Sequence, residues 1–160
     1  MAKKKWYISG IRLNSSFFTE GKRVLRQRLH QVLTNAENYL NSHSIEDLHQ
    51  LRISIRRLRY PMEIFVNFFS KQIFNNFYDK INKLQDLTGC GRDADVMIMK
   101  LASYNEQKIA TIQSELFDFL KTQKDDQYNS IDKIVHDFLA DPILGEVKEV
   151  IEYNRFVKHR

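Results

Sequence analysis

The run Leu48-His49-Gln50-Leu51-Arg52-Ile53-Ser54-Ile55-Arg56-Arg57-Leu58-Arg59-Tyr60 decides the fold. At about 100° per residue, Leu51, Ile55 and Leu58 share one stripe, which Met62, Phe65 and Phe69 continue. That is the period of a helix with one face in a core. His49, Arg52, Arg56, Arg59 and Glu63 fall beside it within an arc of roughly 80°, and Arg57 points away by roughly 80° or more. The helix thus carries an apolar stripe bordered by a cationic ridge. Asn41-Ser42-His43-Ser44 reads as a polar loop, and Ser44 before Ile45-Glu46-Asp47 reads as an N-cap followed by acids that suit the helix dipole. The spacing predicts a helix over about 45–69, kinked at Pro61, whose ring removes one ladder bond.

The same period recurs on both sides. Leu25, Leu29, Val32, Leu33, Ala36 and Leu40 predict a first helix over about 21–41. Ile73, Phe77, Ile81, Leu84 and Leu87 predict a third over about 72–87. Thr88-Gly89-Cys90-Gly91 reads as a break, because paired glycines permit a tight reversal. A fourth helix then starts at Arg92 or Asp93 and runs to about Ser103, with Asp93 and Asp95 as its capping acids. A fifth is expected over about 105–123, with Ile109, Ile112, Leu116, Phe119 and Leu120 inward. Lys124-Asp125-Asp126 marks a joint before a sixth over about 127–140, which Asp141-Pro142 stops, and a last helix fills about 144–157. The expected fold is all-α: a bundle of about six to seven helices in up-down antiparallel packing. With no linker to divide it, the chain is read as one domain over 1–160, with 1–10 a basic tail carrying Lys3, Lys4 and Lys5.

Hydrophobic residues make up 42% and charged residues 28% of the chain, a globular composition that excludes disorder. The single cysteine, Cys90, excludes an intramolecular disulfide and a cysteine-based zinc site. No run reaches the ~18 apolar residues of a membrane span, and the start lacks the core of a signal peptide, so a cytoplasmic protein is expected. Residues 1–60 hold 12 Lys/Arg against 4 Asp/Glu, whereas 61–160 hold 13 against 16. That asymmetry points to a basic pole and an anionic partner.

Like charges three or four residues apart repel on a helix, so the ridge costs stability unless acids or an anion lie opposite. Arginine offers a planar fork of donors matched to phosphate oxygens, and histidine can become cationic beside a polyanion. The candidate polyanion-binding residues are His49, Arg52, Arg56, Arg57 and Arg59. Lys22 and Arg26 of the first helix, Lys83 of the third and Arg92 after the glycines are expected to widen the ridge into a groove. The bland reading is that Glu63, Asp86, Asp93 and Asp95 neutralise the ridge internally. Gly89, Asp93 and Asp95 are assigned to a structural turn and cap. No phosphate-binding glycine loop, Ser/His/Asp order or carboxylate pair stands out, so no catalytic residue or cofactor is assigned. A metal site from His49, Asp93 and Asp95 is disfavoured by Arg52 and Arg56 beside it.

Together the two runs resemble the CHAD family, the conserved-histidine α-helical domain. Its His-x-x-Arg-x-x-x-Arg-Arg-x-Arg helix is matched by His49, Arg52, Arg56, Arg57 and Arg59. Its Leu-Gly-x-x-Arg-Asp-x-Asp-Val run is matched by Gly89, Arg92, Asp93, Asp95 and Val96, with Thr88 in place of Leu. Motif coverage spans about 22–100, with family-like helices to about 140. The resemblance implies a helical domain that binds inorganic polyphosphate through a basic surface, without a catalytic step. Members are usually longer, with two similar halves. This chain has one His/Arg motif, so a half-length version completed by homodimerisation is expected. Two other classes stay open: a histidine phosphotransfer protein with His49 as phosphoacceptor, and a helical binder of the RNA backbone. Bulky Ile53, Ile55, Arg56 and Arg57 around His49 argue against the first, and the lack of an aromatic platform weakens the second.

Overall fold

The computed structural model describes residues 7–12, 14–109, 111 and 113–152. Five α-helices follow in order: α1 (Phe17–Ser42), α2 (Ile45–Ile64), α3 (Lys71–Glu106), α4 (Ser114–Leu139) and α5 (Ile143–Glu152), with a 3-10 turn at Val66–Phe68 between α2 and α3. No strand occurs among the described residues. Serine opens each of the first three helices. Ser16, Ser44 and Ser70 accept from the backbone N–H of Thr19, Asp47 and Ile73 at 3.1, 3.0 and 3.2 Å, which satisfies a donor the helix itself cannot.

Consecutive helices run antiparallel. Asn35 of α1 donates to the Gln50 carbonyl of α2, Arg59 of α2 to Gln85 of α3, and Tyr128 of α4 to Asp95 of α3. α5 folds back onto α1 and α3. One core joins all five: Leu25, Leu29 and Val32 of α1, Leu51, Ile55 and Leu58 of α2, Phe77, Ile81 and Leu84 of α3, Ile131 and Val135 of α4, and Val147 and Ile151 of α5. Burying such side chains contributes about 1.5–3 kcal/mol each, which outweighs the weak propensity of any one helix.

The architecture is the expected all-α bundle, but with five helices rather than six to seven. Two expected breaks are absent. α3 passes straight through Thr88-Gly89-Cys90-Gly91, so Gly89 is not a turn and Asp93 and Asp95 cap nothing. The physical reason lies in packing. A Cβ at Gly91 would stand 2.5 Å from Ile131 Cδ1 and 3.4 Å from Leu48 Cδ2, so the glycine lets α2 and α4 press against α3. That close packing offsets the helix cost of about 1 kcal/mol per glycine. α4 likewise continues through Lys124-Asp125-Asp126, because Lys124 turns across to Asp95 at 2.8 Å.

Other boundaries shift less. α2 stops at Ile64, three residues past Pro61, and a 3-10 turn covers most of the remainder. Ile109 lies in the α3–α4 connection at 64% exposure, and Leu116 and Phe119 of α4 are exposed rather than inward; Ile112 lies outside the described residues. α5 is described to Glu152, and the expected extension to 157 lies outside the described residues, as do Lys3, Lys4 and Lys5. Within the expected tail, Ser9 exchanges two hydrogen bonds with Gln27, at 3.1 and 2.8 Å, which ties it to α1.

Candidate polyanion-binding face

α2 lies between α1 and α3, and its cations sort by flank. Arg52 and Arg59 lean on α3. Arg59 Nε donates to Glu63 Oε1 at 3.1 Å and its Nη1 to Gln85 Oε1 at 3.3 Å. The same carboxylate oxygen accepts the Tyr78 hydroxyl at 2.6 Å. Arg52 rests over Gly89, where an added Cβ would lie 3.7 Å from Nε. Gly89 is therefore a smooth place on a continuous helix, not the turn its sequence implied. Arg52 Nε and His49 Nδ1 are shut off from solvent with no hydrogen-bond partner. Arg56 faces solvent. Among the described residues, neither Arg52 nor Arg56 has an ion pair.

Arg57 takes the other flank, beside Arg28 of α1. Arg28 is 7% exposed, and burial first, then the charge of Arg57, holds its guanidinium below the usual arginine range. Its Nη1 donates to Gln31 Oε1 at 2.8 Å. Arg28 is the cation that sequence reasoning missed. The available signal was the polar row Arg28, Gln31 and Asn35, at helical spacing along the edge of the α1 core stripe.

The outlying cations divide. The register that sets Leu48 beside Gly91 and Arg52 beside Gly89 brings Arg92 to the level of His49. Lys22 and Arg26 lie elsewhere, on the α5 side of α1. Arg26 donates to the Ile151 carbonyl at 3.2 Å, and the Lys22 ammonium sits 4.8 Å from the Phe18 ring centre. Burial, then Arg26, lowers the Lys22 pKa. Lys83 lines a cavity between α3 and α4 with Asp137 and Asp141. These three do not join the α2 ridge.

The acids expected to neutralise the ridge do so only at one end. Glu63 holds Arg59. Asp95 is buried and taken by Lys124 at 2.8 Å and by the Tyr128 hydroxyl at 2.7 Å, which also removes it from any metal site with His49. Burial first, then Asp95, raises the Tyr128 pKa above its usual value. Asp86 and Asp93 are exposed and make no ion pair among the described residues. The central ridge thus keeps its charge, in a row along one helix.

The family profile described as "CHAD domain" matches residues 22–152, most of the chain and all five helices in whole or in part. The chain belongs to the CHAD family. No curated protein and no solved structure matches it closely enough to count as a relative. In this CHAD domain the His/Arg motif is α2, and the Arg92-Asp93-Ala94-Asp95-Val96 motif lies in mid-α3, where Asp95 ties α3 to α4. None of the helices described is long and apolar enough to cross a membrane.

Proposed function

We propose that this CHAD domain binds inorganic polyphosphate, or a similarly phosphate-rich polyanion, along α2 without transforming it. The observation that carries the reading is the row His49, Arg52 and Arg56, where no acid among the described residues answers the two guanidinium charges. Like charges held together on one face cost free energy that a threaded anion returns, through charge-assisted hydrogen bonds of the arginine forks. Arg57 with Arg28 would take the chain on the α1 flank, and Arg92 at the His49 end. A reducing, cytoplasmic setting suits the single free thiol, Cys90.

Titration with polyphosphate over a series of salt concentrations tests this. Affinity should fall steeply with salt, since each phosphate contact releases counterions. Arg52→Ala with Arg56→Ala should weaken binding and flatten the log–log salt slope by about 2. An unchanged slope would remove α2 from the site. RNA of matched charge that competes equally at every salt concentration would replace polyphosphate by the RNA backbone as ligand. Acid-labile phosphate on His49 after mixing with a phosphodonor would instead make the protein a phosphotransfer domain.

A further inference from the structure

α3 and α4 outrun the rest of the bundle. Leu48 of α2 lies beside Gly91, so α2 begins near the level of Asp95, while α1 ends where Tyr39 and His43 meet Asp132. The α3/α4 hairpin therefore projects roughly 16 Å past its neighbours, at the helical rise per residue. On one face of α3 Met97 and Tyr104 are 52% and 46% exposed. Two mostly apolar grooves run along this face and adjoin at Asp93 and Met97. Sharing Asp93 and Met97, the two grooves form one contiguous apolar strip rather than scattered surface residues.

The pattern around Met97 says what covers it. Asp93 and Lys100 stand on the same edge of α3, one on each side of Met97, and neither has an ion pair among the described residues. They are roughly 10 Å apart along the axis, too far to neutralise each other. Small residues, Cys90 and Ala94, precede Met97, and large ones, Leu101 and Tyr104, follow it. Turned end for end about Met97, this surface is its own complement.

We propose that the face is a homodimer interface in which two copies of α3 cross antiparallel, with a two-fold axis at Met97. In that register each Asp93 meets Lys100 of the partner subunit. Each Ala94 meets the partner's Leu101, and each Cys90 the partner's Tyr104. Leu120 of α4, which lines the second groove with Met97, extends the apolar area toward the ~800 Å² per partner of a stable interface. The contact is isologous, so every pair occurs twice and the assembly closes as a dimer.

Sedimentation velocity of the full chain, without polyanion and at about physiological salt, provides the test over roughly a hundredfold range of concentration. The wild type should shift from monomer to dimer. Met97→Glu should be monomeric throughout. Asp93→Lys should weaken the dimer about tenfold or more, because it sets like charges opposite each other twice. Asp93→Lys combined with Lys100→Asp should restore it, with the helical circular dichroism unchanged in all. A wild type that stays monomeric, a dimer indifferent to Met97→Glu, or a swap no tighter than Asp93→Lys alone would each overturn the proposal. With polyanion absent, the outcome is independent of what α2 binds.

Discussion

Gly89 and Gly91 lie in the same stretch of α3, yet a methyl group should affect them in opposite directions. At Gly91 a Cβ meets Ile131 at 2.5 Å, and overpacking of this kind costs about 1–3 kcal/mol. Gly91→Ala should lower the thermal midpoint by several degrees. At Gly89 the nearest atom is 3.7 Å away, so Gly89→Ala removes backbone entropy without a clash and should stabilise by about 0.5–1 kcal/mol. Calorimetry on the two variants checks both signs. A third test concerns Asp141, whose carboxyl lies below its usual 3.8 because Lys80 bonds it, with the Ile143 N–H adding and burial opposing. A depressed carboxyl stabilises the fold above its unfolded pKa, and the gain fades as pH falls through the folded value. The urea midpoints of wild type and Lys80→Ala should therefore differ above about pH 5 and converge as pH falls through the lowered folded-state pKa of Asp141. At this scale the placement of the candidate residues was half legible. Arg52 and Arg56 follow from helical spacing, but Lys22, Arg26 and Lys83 need the helix neighbours to be known before their flank can be assigned.

α2 is the element whose start and faces were most legible, although it ends at Ile64 rather than near 69. Its cap, stripe and ridge are all local, so Ser44, Leu51, Ile55 and Leu58 state them within one stretch of chain. α3 and α4 were cut in two because glycine and charge are read as local punctuation, while tertiary contacts at Gly91 and Lys124 decide the matter. Leu116 and Phe119 show the converse: their period marks an apolar face but cannot say whether the protein itself covers it. Within α2, Glu63 is the one acid that restrains a ridge arginine. Glu63→Gln should release Arg59 and tighten polyphosphate binding several-fold, with the strongest effect at low salt. Arg59→Ala should cost less affinity than Arg56→Ala, because the Arg59 fork is already engaged by Glu63 and Gln85, whereas Arg56 makes no ion pair among the described residues. Titration calorimetry of the three variants ranks them, and equal losses for Arg56 and Arg59 would refute the assignment.

Across the whole molecule, stability should be graded along the long helices. Residues such as Ile55, Ile81 and Ile131 sit fully buried where several helices meet, whereas among the described residues the projecting arms of α3 and α4 pack mainly on each other. Native-state hydrogen exchange should release amides of about 97–106 and 116–123 by local opening, well before those of α2. Slow exchange in the arms of a dilute monomer would contradict this. The Gly91 crossing has one more consequence. It presses α3 against Ile131 and Leu48 with no methyl between, so the joint has no slack. Leu48 precedes His49 at the start of the charged row. The projecting hairpin and the cationic helix therefore share one joint, and the bulk tolerated at Gly91 sets how closely the mouth of the charged track sits against the root of the hairpin.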